Sequence, residues 1–235
     1  MQLPRLRILY DNYPLDVRCV PDWGFALLLE WPELRLLFDS GAQGDILLNN
    51  MYAVGFDPAT LDAVFISHNH WDHQGGLDAL LEIKPQLKVF IHSRFSASFT
   101  DDLRHRCKHL HIVEERSEIM PGIFSSGPLE AAMPEQSLFV PLAEETLIVT
   151  GCAHPGLEAV LDAVQDILPG KRFRLVGGLH LKSASQKAIR ETALMMLERR
   201  VYRIAPCHCS GDEARAILPG FPFDECLISG VGGKL

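Results

Sequence analysis

Residues 63–76 read Ala63-Val64-Phe65-Ile66-Ser67-His68-Asn69-His70-Trp71-Asp72-His73-Gln74-Gly75-Gly76. A short apolar run, expected to be a strand over 63–67, leads directly into three histidines and one aspartate within six residues. His68 and His70 are two apart, so in an extended segment they point the same way. Asp72 and His73 follow where the chain turns toward a helix. A tight turn there can aim two residues at one metal ion and two at a neighbouring ion. Gly75 and Gly76 allow close backbone approach. Neutral imidazole and carboxylate are the donors a divalent transition metal takes. One such histidine would read as a surface residue, but this density at a strand end reads as a ligand run.

The same arrangement recurs further along the chain. Strands are expected at 146–150, 172–176 and 202–205. They deliver Gly151-Cys152-Ala153-His154, Gly177-Gly178-Leu179-His180 and Pro206-Cys207-His208-Cys209. Each time a histidine sits just past the carboxyl end of a short apolar strand, which is where layered α/β folds collect ligands. Between these strands, helical spacing is expected over 44–54, 76–83, 155–168, 185–200 and 211–218, with Pro155 in the first turn of its helix. Upstream, 5–10, 24–30 and 34–38 read as strands, the last two joined through Trp31-Pro32-Glu33. Residues 93–145 are less regular, with short strands at 109–113, 122–125 and 137–140, and a last strand is expected at 225–229.

No linker or low-complexity stretch divides the 235 residues, so one domain over 1–235 is expected. The net charge of −8 comes without a basic stripe, which excludes a nucleic-acid backbone as partner. The first residues lack an apolar core of signal-peptide type, and no apolar run approaches the roughly 20 residues that span a bilayer. With Cys19, Cys107, Cys152, Cys207, Cys209 and Cys226 spread through a chain long enough to build its own core, free thiols and a cytoplasmic location are expected.

His68-x-His70-x-Asp72-His73 resembles the signature of the metallo-β-lactamase superfamily. Gly151-Cys152-Ala153-His154-Pro155-Gly156, Gly177-Gly178-Leu179-His180-Leu181 and Pro206-Cys207-His208-Cys209-Ser210-Gly211 resemble one subgroup, the 7,8-dihydropterin-6-methyl-4-(β-D-ribofuranosyl)-aminobenzene-5′-phosphate synthase-like proteins. Asp11-Asn12 and Leu37-Phe38-Asp39-Ser40-Gly41 also fit, and the similarity covers nearly the whole chain. The resemblance implies an α/β fold of the αββα sandwich type, two mixed sheets with helices on the outer faces. It implies that His68, His70 and His154 hold a first metal and that Asp72, His73 and His208 hold a second. Zinc, as two ions, is the default, although iron or manganese can use similar ligands. Many members place a bridging aspartate on the loop after the strand that here ends at Val176. This chain has Gly177-Gly178-Leu179-His180 there, so His180 is the residue expected to enter the site, as a ligand or a substrate contact.

The implied activity is that of a metal-dependent hydrolase using a metal-bound hydroxide on a small phosphoester, lactone or other ester. Asp72 and His180 are the expected catalytic residues, Asp72 orienting the nucleophile and His180 serving the leaving group as general acid. The alternatives are a synthase joining a pterin to a ribosylaminobenzene phosphate, or a binding protein that keeps the metals without turnover. The partner is a small molecule that can be anionic, with no membrane and an open oligomeric state. Ser210-Gly211 can either form an anion site at a helix start or act as a simple N-cap. Thiolates are good zinc ligands, so Cys209 can be one, but if 206–209 is extended Cys207 and Cys209 face away from His208, and packing around the site is the preferred reading. Asp39 reads as a turn residue beneath the metals. His92, His105, His109 and His111 read as surface or capping residues, and Phe95, Phe99, Phe124 and Phe139 as core or pocket lining.

Overall fold

The computed structural model describes residues 2–228 and 230–235. The chain divides into two compact units, Leu3–Glu114 with Ser229–Leu235, and Glu115–Ile228 with Met1–Gln2.

The N-terminal unit is built on a six-stranded sheet ordered β1 (Arg5–Tyr10), β2 (Ala26–Trp31), β3 (Leu34–Phe38), β4 (Ala63–Phe65), β5 (Lys88–His92) and β6 (His109–Val113). The first three strands pair antiparallel, and the Pro32-Glu33 turn closes the β2–β3 hairpin. From β3 to β6 the pairing is parallel. Parallel strands need crossovers, and these are supplied by the helices α1 (Gly44–Ala53), α2 (Trp71–Gln74), α3 (Leu77–Ile83) and α4 (Ala97–Arg106). Leu37, Val64 and Val89 on the sheet bury against Leu47, Met51 and Leu80 of the helices. Each such side chain contributes roughly 1.5–3 kcal/mol by leaving water.

The helix α4 has no counterpart among the elements expected from the sequence, because it lacks an apolar stripe. Only Thr100 and Leu103 are buried. It is held instead by its ends and its charges. The Ser96 hydroxyl accepts from the Phe99 amide at 3.3 Å, and Arg106 pairs with Asp102 one turn earlier and with Asp78 of α3.

The C-terminal unit carries a seven-stranded sheet ordered β13-β12-β11-β10-β9-β8-β7. Its strands are β7 (Ser117–Met120), β8 (Ile123–Ser125), β9 (Leu138–Pro141), β10 (Glu145–Thr150), β11 (Arg172–Gly178), β12 (Val201–Cys207) and β13 (Glu225–Cys226). The four strands β10 to β13 are parallel, and β7 to β9 add antiparallel. Both sheets are therefore mixed, as the resemblance implies. The helices are α5 (Leu157–Ile167), α6 (Gln186–Glu198) and α7 (Gly211–Ile217). The spaced set Leu157, Val160, Leu161 and Val164 is buried on α5, and Ile189 and Met196 are buried on α6. Phe95 and Phe139 are core, and Phe99 and Phe124 pack against it.

Three expectations about local structure are corrected. Pro155 precedes α5, whose N-cap is Gly156, since the chain turns through Ala153 and Gly156 at positive φ before it can coil. The strand β7 was not expected. The last strand is two residues long, and Ser229, the end of the strand expected there, lies outside the described residues. Among the described residues no helix is long and apolar enough to cross a membrane.

Candidate functional site

In the N-terminal unit, β4 ends at Phe65 and releases the chain into Ser67 and His68. His70 caps α2, a single turn that carries Asp72 and His73. His68, Asp72 and His73 are buried and His70 is half-buried. His68 Nε2 lies 3.0 Å from His70 Nδ1, and the His68 ring centroid is 4.2 Å from that of His73. An Asp72 oxygen lies 3.8 Å from His73 Nε2. Two nitrogens bound to one tetrahedral zinc at its usual bond length are about 3.3 Å apart, so the donor chemistry and spacing suit a divalent transition metal. The glycines after the run do what was expected of them. A Cβ on Gly75 would lie 2.1 Å from the Ala42 carbonyl oxygen, and one on Gly76 would lie 2.2 Å from that of Ser40.

Asp39 orients this run. It follows β3 at φ 58°, and the β3–β4 register, Phe38 beside Phe65, brings it next to Ser67. Its Oδ1 accepts from the Ser67 amide and its Oδ2 from the Ser67 hydroxyl, both at 2.7 Å. The same Oδ2 lies 2.7 Å from His73 Nδ1. Ser67 Oγ also lies 2.9 Å from His68 Nδ1. A serine hydroxyl has one proton, and Asp39 takes it, so His68 Nδ1 is assigned as the donor to Ser67. One buried carboxylate thus sets two tautomers, that of His73 directly and that of His68 through Ser67. Both Nε2 atoms are then the unprotonated ring nitrogens, the tautomer that metal-binding histidines use. Asp39 is more than the turn residue expected from Asp39-Ser40-Gly41.

In the C-terminal unit, β10, β11 and β12 end side by side. Among the described residues only five non-glycines have positive φ, and Ala153, His180 and His208 at these strand ends are three of them, with Asp39 a fourth. Such conformations cost roughly 1–3 kcal/mol each and gather at functional sites. The loop 151–154 is pinned by Glu135, a residue no sequence pattern singles out. One Glu135 oxygen accepts from the amides of Gly151, Cys152 and Ala153 at 2.9–3.0 Å, and the other accepts from His154 at 3.0 Å. Burial raises the Glu135 carboxyl above its ordinary range, against the pull of these amide donors.

His154 and His180 stand edge to face, with ring centroids 4.6 Å apart. The chain does not stay extended past Cys207. At His208, φ 45°, it enters a 3-10 turn over His208–Ser210. That corrects the expected placement of Cys209 away from His208. One donor atom each from Cys152, His208 and Cys209 lie within 4.8 Å of one another, all buried. Burial pushes the Cys209 thiol up, but hydrogen bonds from Cys152 and His180 and the nearby His208 outweigh it and hold the thiol well below its ordinary range. The bond to Cys209 in turn raises His180, against burial. Ser210 is the N-cap residue of α7 but makes no side-chain cap bond. Its hydroxyl accepts from the Leu179 amide at 3.2 Å, so it braces β11 instead of capping the helix or facing an anion.

A cleft of about 810 Å³ opens beside His154 and His180, between α5 and α6. Glu158, Asp162 and Glu191 line it together with Met195. Among the described residues no lysine or arginine lines it, and Lys182 stays outside. Of the histidines outside the motifs, His92 is buried and accepts from the Arg94 amide, and His111 stacks on Phe90.

A model of the metallo-beta-lactamase superfamily matches residues 21–208. Among curated proteins, a 7,8-dihydropterin-6-methyl-4-(beta-D-ribofuranosyl)-aminobenzene-5'-phosphate synthase of Methanocaldococcus jannaschii is 25% identical over 225 residues, covering 77% of this chain and 76% of its own. An uncharacterised protein of the same organism is 25% identical over 241 residues, covering 89% and 91%. Among solved structures, a metal-dependent hydrolase of the beta-lactamase superfamily superposes with a TM-score of 0.83 at 24% identity, covering 99% of this chain and 98% of that one.

Proposed function

Since this chain belongs to the metallo-β-lactamase superfamily, we propose that it is a metal-dependent hydrolase acting on small uncharged esters or lactones. The observation that carries this is the run His68, His70, Asp72 and His73 with the tautomers of His68 and His73 set by Asp39. A catalytic metal needs that preparation of its ligands, and a surface histidine loop does not. We assign His68, His70 and His154 to a first ion and Asp72, His73 and His208 to a second, with zinc as the default element. A bound divalent ion would supply Lewis-acid activation of water at neutral pH. None of the six cysteines is in a disulfide, which fits a reducing, cytoplasmic setting.

Two features of the cleft support the substrate class. Asp162 is paired with Arg199 and Glu191 with Lys187, so Glu158 and the lack of a lysine or arginine among the lining residues are what disfavour an anionic substrate, and the apolar wall accepts a short acyl chain. Replacing Glu158 and Glu191 together by glutamine is expected to raise kcat/KM for an anionic ester relative to a neutral one by about tenfold at low salt, and the gain should shrink as salt screens it. A ratio indifferent to both variant and salt would place substrate elsewhere.

His180 lines the cleft against His154, which suits proton donation to a leaving group. His180→Ala should lower turnover about 100-fold, the low end of what a general acid contributes, while metal content stays unchanged. Loss of metal in proportion to activity would make it a ligand instead.

Hydrolysis itself is tested by assaying the metal-loaded full chain on a panel of lactones, carboxylic esters and phosphodiesters. Activity on the uncharged members, abolished by a chelator and restored by zinc, is the expected result. Full metal occupancy without turnover across the panel would overturn it. The likeness to the M. jannaschii synthase favours a second reading, the joining of a pterin to a ribosylaminobenzene phosphate. Tight binding of a reduced pterin would select it, against the charge of the cleft.

A further inference from the structure

We propose that Cys152 and Cys209, with His208, hold a metal ion through sulfur. The three donors belong to one unit and come from the ends of β10 and β12, the two strands that flank β11. Their ligand atoms lie within 4.8 Å of one another and are buried. Around a tetrahedral zinc, two sulfurs or a sulfur and an imidazole nitrogen stand about 3.5–3.8 Å apart, so a small inward movement closes the set.

Three observations separate this from thiol packing. The first is the space at Gly178. A Cβ there would lie 2.3 Å from the Gly151 carbonyl oxygen, 2.5 Å from Cys209 Sγ and 3.2 Å from Cys152 Cα. The sulfur, together with the Gly151 carbonyl, therefore occupies the volume that a side chain from the end of β11 would fill. The loop that here lacks an acid receives a thiol from the neighbouring strand end in its place.

The second is that both cysteines are held on rigid backbone. The Cys152 amide donates to buried Glu135, and the Cys209 carbonyl accepts from the Lys182 amide at 3.0 Å. Cys209 Sγ is 3.7 Å from the Cys152 carbonyl oxygen. The third is the contrast with Cys207. Both thiols donate to a carbonyl, but buried Cys207 turns back on its own strand to Ala205 at 3.3 Å and is absent from the donor set, whereas Cys209 reaches across to the Cys152 carbonyl at 3.7 Å.

Three protein ligands leave a fourth position open, as catalytic zinc sites do. Each thiol would lose its proton to solvent on binding. Sulfur also narrows the choice of metal. Thiolate selects zinc, iron or cobalt over magnesium, calcium or manganese. A neutral imidazole has one lone pair, so His208 serves one ion; here it joins the two thiols in place of the set with Asp72 and His73, and that is the one point at which the inference rests on the metalloenzyme assignment.

Cobalt(II) provides the test. The full chain loaded with cobalt is expected to show a sulfur-to-cobalt charge-transfer band, and X-ray absorption should find a sulfur shell near 2.3 Å. Cys209→Ser should lower the sulfur count, and C152S/C209S should abolish the band while cobalt stays on the imidazoles. His68→Ala with His70→Ala should reduce cobalt stoichiometry and keep the band. Cobalt bound with nitrogen and oxygen only would overturn the sulfur site and leave the hydrolase standing. A sulfur band without turnover on any ester would do the reverse. No cobalt binding at all would overturn both.

Discussion

Asp39→Ala is expected to weaken metal binding about 100-fold and to lower stability by about 3 kcal/mol. The first effect follows from tautomers. With the carboxylate gone, His73 Nδ1 has lost the acceptor 2.7 Å away and the Ser67 hydroxyl is free to turn its proton toward His68. Each imidazole can then carry its proton on Nε2, the nitrogen meant for the metal. Losing such an outer partner costs 10–100-fold in affinity, and here one residue serves two ligands, which puts the effect at the upper end. The second effect follows from burial. The Ser67 amide and hydroxyl and the His73 ring would be left in a dry site without their acceptor, and breaking a buried charged network typically costs 3–5 kcal/mol.

Asp39→Asn separates the two effects. Its amide oxygen can still accept from the Ser67 backbone, so most of the stability should remain. Its NH₂ group, however, would sit where Oδ2 meets both Ser67 Oγ and His73 Nδ1. That donor forces His73 to accept at Nδ1 and to carry its proton at Nε2. Competition with a chromophoric chelator reads the affinity and urea unfolding reads the stability. Wild-type affinity in both variants would remove Asp39 from the metal site.

The histidine-aspartate run was legible as a candidate ligand run because its signal is local. A strand leading into His68, His70, Asp72 and His73 announces donors by spacing alone, and the repeated strand-then-histidine pattern marked His154, His180 and His208 in the same way. What was not legible depends on register. Asp39 reaches Ser67 and His73 because β3 lies parallel to β4 with Phe38 beside Phe65, and nothing in the spacing of residues 39 and 67 states that. Glu135 lies in an irregular segment, and its value comes from four amides that converge only after β10 has paired. Cys209 was assigned to the wrong side because alternation assumes an extended chain, and a positive φ at His208 ends that assumption. The helix α4 escaped for a related reason. Its stability lies in a serine cap and charge pairs, to which a search for apolar periodicity is blind.

Glu135→Ala should destabilise the chain by about 4 kcal/mol, and Glu135→Gln by about 1–2 kcal/mol. The native carboxylate accepts from four consecutive amides, three on one oxygen and one on the other. A buried amide left without an acceptor costs about 1–3 kcal/mol. The four losses cannot simply add, because the emptied space admits water and the loop relaxes. A total at the low end of the four-amide sum, about 4 kcal/mol, follows for alanine. In the glutamine variant the carbonyl oxygen can keep Gly151, Cys152 and Ala153, and the NH₂ group faces the His154 amide, so one donor is lost. The ordering of alanine, glutamine and wild type therefore reports the number of amides served. Urea unfolding at constant slope gives the energies. Hydrogen exchange gives the place, since the amides of residues 151–154 should become the fastest-opening part of the C-terminal sheet. The alanine variant should also lose metal, because the same loop presents Cys152 and His154. If these amides stay as protected in the alanine variant as in wild type, the loop is held by its neighbours, and Glu135 is a buried charge that contributes nothing to the site.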